Sequence, residues 1–206
     1  MTPTDRPRPT PTARRADAER SINAILDAAA VGFGRSPDTT MAEIARAAGV
    51  GRVTLYGHFN SREAVLDALL ERTLAEIDSA LDAADPETGP AADALVRFLA
   101  TPWLLDRFRG LYAAAVRHLG PDHVRSRHEP VFHRLEQLIS RGQHEGSFRT
   151  DLPRPWLITT IYALVHALIS EVEEGNLPSG QAVDVLTRTL LGLLAPYPGQ
   201  ERSDAG

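Results

Sequence analysis

Apolar residues recur at helical spacing through most of the chain. Ile22, Ile25, Leu26, Ala29, Ala30 and Phe33 share one stripe of period 3.6. They predict a helix over about 18–33, which Gly34 and Pro37 end. Met41, Ile44, Ala45 and Ala48 form a second, shorter stripe, and Leu55 and Phe59 mark a third helix over 52–60. Ser61 is a suitable N-cap for a long helix that runs through Val65, Leu66, Leu69 and Leu70 to about residue 84. Residues 85–90, rich in proline and turn formers, break the pattern. Helices are then predicted over about 91–100, 103–119, 122–145, 155–174 and 180–194, with Pro130 kinking or splitting the third of these. The pattern contains no convincing strand and no internal repeat.

The most specific signal lies between Thr40 and Leu69. Thr40 can cap the second helix, and Glu43 three residues on completes a capping box. Gly49 follows that helix and can take the left-handed conformation that closes it, after which Val50 turns back to the core. Two short helices around a glycine turn form a helix-turn-helix, whose second helix enters the major groove of DNA. Arg52 can pair with guanine and Thr54 can reach a base or a phosphate. Tyr56, His58 and Arg62 suit phosphate oxygens. With Thr40, Val53 and Gly57 these residues make up the expected DNA-contacting set. The competing reading is a helical hairpin that binds nothing, with Tyr56 half-buried. An exposed Arg-Thr-Tyr-His face has no packing purpose, which favours DNA.

The stretch resembles the TetR family of transcriptional regulators. The matching residues are Ile44-Ala45, Ala48-Gly49-Val50, Thr54-Leu55-Tyr56, His58-Phe59 and Arg62-Glu63, within about a quarter of the chain. The resemblance implies an all-helical homodimer. Three N-terminal helices would bind an operator, and a divergent C-terminal body would bind a small effector that usually releases DNA. Repression is the family's usual sign, and activation stays open. Gly51 departs from a frequent capping serine, and Arg62 replaces a common lysine while keeping its charge. Gly57 sits mid-helix at a cost of about 1 kcal/mol relative to alanine. It either lets the backbone approach DNA or is simply tolerated.

The expected fold class is therefore all-α: an N-terminal three-helix DNA-binding domain with a helix-turn-helix, followed by a C-terminal helical domain for ligand binding and dimerisation. Residues 1–17 carry Arg6, Arg8, Arg14 and Arg15 among four prolines and read as a disordered arm, a solvated tail in preference to a minor-groove contact. The DNA-binding domain is assigned to 18–66, the effector and dimer domain to 67–195, and a flexible tail to 196–206.

Composition changes this picture in three places. The 206 residues contain no cysteine, which excludes disulfides and thiolate chemistry. All 22 basic residues are arginine, and the net charge is −5. Residues 1–66 hold nine arginines against seven acids, a net of +2, and residues 67–206 hold thirteen against twenty, a net of −7. The DNA-facing part is thus mildly basic and the body acidic. No apolar run is expected to reach transmembrane length, and no signal-peptide core is present, so a cytoplasmic location without a membrane partner is the expectation.

The last two predicted helices are apolar on more than one side and so must bury more than one side. Ile161, Val165, Leu168, Val183, Leu186 and Leu190 are the expected homodimer contacts, in a four-helix bundle about a two-fold axis; a central helix pair inside a monomer is the alternative. The candidate effector residues are Trp103, Arg107, Phe108, Tyr112, His118, His133, Tyr162 and His166, polar or aromatic points among apolar helical positions. Each of them also fits a purely structural role. His118, His123, His128 and His133 recur every five residues, a spacing that turns a helix by about 140° and points successive rings apart. No metal, cofactor or catalytic constellation is expected. The best reading is a ligand-responsive regulator, with double-stranded operator DNA, an unknown small molecule and a second copy as partners. The alternative is a helical ligand-binding or scaffolding protein without DNA recognition.

Overall fold

The computed structural model describes residues 10–83, 85, 87–100 and 110–197. Among these residues there are ten α-helices and no strand. They are α1 (Pro11–Phe33), α2 (Met41–Ala47), α3 (Arg52–His58), α4 (Arg62–Ala83), α5 (Ala91–Leu99), α6 (Leu111–Leu119), α7 (Pro121–Arg127), α8 (Glu129–His144), α9 (Arg154–Glu173) and α10 (Ser179–Leu194). The structure differs from the sequence reading at the start of α1 and decides an alternative that reading left open at Pro130. The α1 helix starts at Pro11, so residues 11–17, expected in a disordered arm, are helical. The predicted 122–145 helix is two helices that meet at His128, with Pro130 in the first turn of α8. The reason is proline's missing N–H, which is harmless in a first turn and disruptive further in. The segments 1–9 and 198–206 of the expected arm and tail, and residues 103–109 of a predicted helix, lie outside the described residues.

Local chemistry sets the ends of the head helices. Thr40 caps α2: its hydroxyl accepts the Glu43 amide at 3.3 Å, and its own N–H donates to the Glu43 carboxylate at 2.8 Å. Gly49 has φ +67° and ends α2. Gly51 starts α3 without a side-chain cap. The Ser61 hydroxyl accepts the Ala64 amide at 3.1 Å and starts α4.

Two apolar clusters fill the interior. The first joins the head, through Ile25, Phe33, Ile44, Leu55, Phe59 and Leu66, to Leu74, Ile77 and Leu81 of α4 and to Leu111, Ala114 and Ala115 of α6. The second packs α5, α8, α9 and α10 around Leu95, Ile139, Leu157, Leu190 and Leu194. The α4 helix thus carries a continuous core from the head into the body, across the expected boundary at residues 66 and 67.

Polar contacts pin α4 to its neighbours. Asp67 accepts from His123 Nε2 at 2.7 Å and from Arg127 Nε at 3.0 Å, tying α4 to α7. Arg134 of α8 pairs with Asp78 at 3.3 Å and with Asp82. Burial alone would raise the Asp67 carboxyl, but the His123 and Arg127 hydrogen bonds outweigh it and hold the group below its ordinary value. At the start of α6, Gly110 has φ +69° and its N–H donates to the Glu173 carboxylate.

One helix departs from the expectation about apolar length. The α9 helix has 20 residues and contains an 18-residue window of mean hydropathy 1.3, long and apolar enough by length and composition to cross a membrane, because its charges sit only at its ends. Only 28% of its apolar window is buried within the chain.

Two outcomes test these contacts. A Cβ on Gly110 would lie 2.3 Å from the Phe33 carbonyl oxygen and 2.8 Å from Gly34 Cα. Gly110→Ala should therefore lower stability by more than the ~1–2 kcal/mol of a left-handed L-residue, read as a fall in thermal midpoint. Asp67→Asn should destabilise the protein near neutral pH. A carboxylate held low in the folded state stabilises above its unfolded value and loses that contribution as pH falls through the folded one. Wild type and variant should thus converge in denaturant titrations below about pH 4.

Candidate DNA interface and ligand cavity

The second short helix presents the outward face that a DNA reader requires. Leu55 and Phe59 are buried under it, while Arg52, Thr54 and Gly57 are exposed. Val53 is 89% exposed and Tyr56 53%, so neither is a core residue. His58 is half-buried at the end of the helix. Thr40, Arg52, Tyr56 and Arg62 line one surface recess between α2, α3 and the start of α4. Four of the eight sequence-derived DNA candidates therefore converge, and the other four border them on α3.

Arg62 also faces the body. Its Nη2 donates to Nδ1 of His118 at 3.0 Å, and Nε2 of His118 donates to the Pro37 carbonyl at 3.0 Å. A guanidinium can only donate and a carbonyl can only accept, so in these contacts Nδ1 of His118 is the acceptor and Nε2 the donor. Asp38 lies 3.3 Å from the same Nε2 and 3.4 Å from Arg117. His118, expected in an effector pocket, is instead the bond between α6 and the head. Tyr112 and His118 are six residues apart, which places them about 120° apart around α6.

A cavity of about 80 Å³ lies in the body. Its walls come from Ile77 and Leu81 of α4, Leu95, Phe98 and Leu99 of α5, His128 at the α7–α8 junction, Val131, Phe132 and Leu135 of α8, Ile161, Tyr162, Val165 and His166 of α9, and Leu190 of α10. Of the effector candidates, Tyr162 and His166 line it. Tyr112 backs them: its ring stacks on His166 at 3.5 Å, and its hydroxyl accepts from the Tyr162 hydroxyl at 3.3 Å. His133 is exposed on α8, beside Gln137 and away from the cavity. Trp103, Arg107 and Phe108 lie outside the described residues.

Sequence reasoning missed His128 and Phe132, whose rings complete the aromatic wall around Tyr162. A proline two residues after a histidine was the available signal for a helix junction there. Nδ1 of His128 donates to the Val124 carbonyl at 2.7 Å. Burial lowers both imidazoles below their ordinary value, that of His166 to about 3, and pushes the Tyr162 hydroxyl up. All three groups are thus neutral at physiological pH. Among the described residues no three His, Asp or Glu side chains converge to hold a metal ion.

The expected dimer residues need correction. Ile161, Leu168, Leu186 and Leu190 are buried in the subunit's own core, and Val165 lines the cavity. Only Val183 is partly exposed without such a role. The doubly apolar helices do leave an outward face, but other residues form it. Trp156, 58% exposed, shares a stripe on α9 with Ala163 and Ala167, while Val185, Thr189 and Gly192 are exposed on α10.

Comparison with known proteins agrees with this geometry. Residues 25–69 match the family model of bacterial regulatory proteins, tetR family. The chain is 27% identical over 180 residues to the HTH-type transcriptional repressor LfrR of Mycolicibacterium smegmatis, covering 87% of this chain and 93% of that one. It is 24% identical over 172 residues to the HTH-type transcriptional regulator NfxB of Pseudomonas aeruginosa, covering 81% and 90%. The crystal structure of LfrR in complex with proflavine superposes with a TM-score of 0.68 over 84% of this chain and 94% of that one. A TetR-family regulator from Agrobacterium tumefaciens, 15% identical, shares the fold with a TM-score of 0.71 over 86% and 99%. Residues 25–69 thus form a tetR-family DNA-binding unit, and the chain is similar along both halves of the fold to TetR-family transcriptional regulators.

Proposed function

We propose that the chain is a ligand-responsive repressor that binds a palindromic operator as a homodimer and is released by a small molecule in the body cavity. The carrying observation is the bridge made by α6. One of its residues, Tyr112, packs on the cavity's Tyr162 and His166, and another, His118, bonds Arg62 beside the DNA-facing recess. A ligand entering the cavity presses on Ile77 and Leu81 of α4 and on the two α9 rings that Tyr112 covers. Arg62 belongs to the same α4, so displacement at one end of the helix is felt at the other. Operator and ligand are then linked, each weakening the other. The repressor name of LfrR and its complex with proflavine support both the sign and a small-molecule trigger.

The outward face of α9 and α10 fits a second copy. It combines an aromatic anchor, Trp156, with Ala163, Ala167 and Gly192, which let helices approach closely. A two-fold four-helix bundle covers it. Such a dimer sets its recognition helices in successive major grooves, roughly 34–36 Å apart. The expected domain limits, 18–66 and 67–195, suit this division of labour.

Arg52→Ala should cost about 1–3 kcal/mol in affinity for an operator selected from a random duplex library, read by fluorescence anisotropy. Unchanged affinity removes Arg52 from the readout, whereas a selection that enriches no sequence favours the second reading, a helical ligand-binding protein without DNA recognition, for which the uncapped Gly51 and mid-helix Gly57 speak. Ala167→Arg should give monomers with unchanged helix content and lose tight operator binding. A dimer that persists in sedimentation moves the interface elsewhere. Leu190→Arg, by contrast, buries a charge in the subunit core and should unfold it.

A further inference from the structure

We propose that the body cavity selects an uncharged, largely hydrocarbon ligand and rejects both cations and anions. This rests on the reading of the cavity as the effector site and adds the chemical class of its occupant. The first support is the lining. It is built from aliphatic and aromatic side chains, and among the described residues no carboxylate reaches it. A cation entering such walls loses its hydration and gains no counter-charge.

The second support is the state of the polar groups. His128 has committed its Nδ1–H to the Val124 carbonyl, and burial keeps both cavity imidazoles neutral. They therefore offer an anion no positive partner. The Tyr162 hydroxyl has its proton committed to Tyr112.

The third support is the aromatic wall. Rings can attract a cation through their faces, but here a cation already sits over them. The Arg125 guanidinium carbon lies 5.2 Å from the Phe132 ring centre and 5.9 Å from that of Tyr162. A second positive charge on these rings would meet the first at short range. Arg125 is itself exposed and is not among the cavity-lining residues, so water weakens its repulsion of a cation as much as its attraction for an anion, and the lining carries the selectivity. Size sets a further limit. At about 80 Å³ the cavity is smaller than the roughly 150 Å³ that accommodates benzene in a packed core. One aromatic ring already requires the walls to move, which couples binding to α4.

Three probes share a ring and differ in charge: toluene, benzylammonium and benzoate. Each is titrated into the full-length protein while the methyl NMR signals of Ile77, Leu81 and Val165 are followed. Toluene should shift all three saturably, and the two ions should bind at least about tenfold more weakly. Val165→Trp and, as a milder filling, Leu135→Phe should each abolish the toluene shifts at Ile77 and Leu81, with folding checked by circular dichroism. Benzylammonium or benzoate shifting these methyls as strongly as toluene would overturn the charge selectivity and leave the effector site standing. No saturable shift from any of the three would overturn the effector site together with its ligand class.

Discussion

Beside the core that α4 carries from head to body, the link between the two ends of this subunit rests on α6 satisfying two neighbours at once. Its N-terminus lies against the end of α1 so closely that only a residue without a Cβ fits at Gly110. Its C-terminal turn carries His118, whose two ring nitrogens are both used on the head. Between these points Tyr112 closes the aromatic wall of the cavity, and Leu111, Ala114 and Ala115 are buried in the core shared with α4. A helix held at both ends and along one side transmits displacement instead of absorbing it.

The fold was largely legible in the sequence because its helices obey local rules. The Thr40–Glu43 capping box, the left-handed Gly49 and the Ser61 cap are short-range chemistry, and each is where the pattern puts it. The break at His128 was half legible: Pro130 announced it, but whether a proline kinks a helix or starts a new one depends on tertiary packing. The early start of α1 was not legible, since residues 11–17 show no apolar period and are helical all the same.

The sites divide by the same logic. The outward residues of α3 could be picked out because polar side chains on a short amphipathic helix have nowhere else to go. The cavity could not, because Ile77, Leu81, Leu95 and Val131 look like any core residues until the space they enclose is seen. Apolar richness on α9 and α10 was read as a need for two buried sides, and the large aliphatic side chains went to the subunit's own core. The outer side was left to alanine, glycine, threonine, one valine and one tryptophan. Choosing the biggest apolar residues as contacts confused the inside with the outside. Helix phase relative to the neighbouring elements decides between them, and one chain read alone does not give it.

The core shared between head and body also restricts the kind of motion open to a regulator built this way. Many switches work by melting a segment, so that order is lost at one site when a ligand is bound at another. Here the head cannot come away from α6 without exposing Leu111, Ala114, Ala115 and the apolar length of α4 to water. That route costs about 25 cal/mol for each Å² of apolar surface uncovered. Sliding of packed helices keeps the surface covered. The communication proposed for this subunit is therefore of the shear type, small shifts between rigid helices, and its head should exchange amide hydrogens with the same cooperativity as its body.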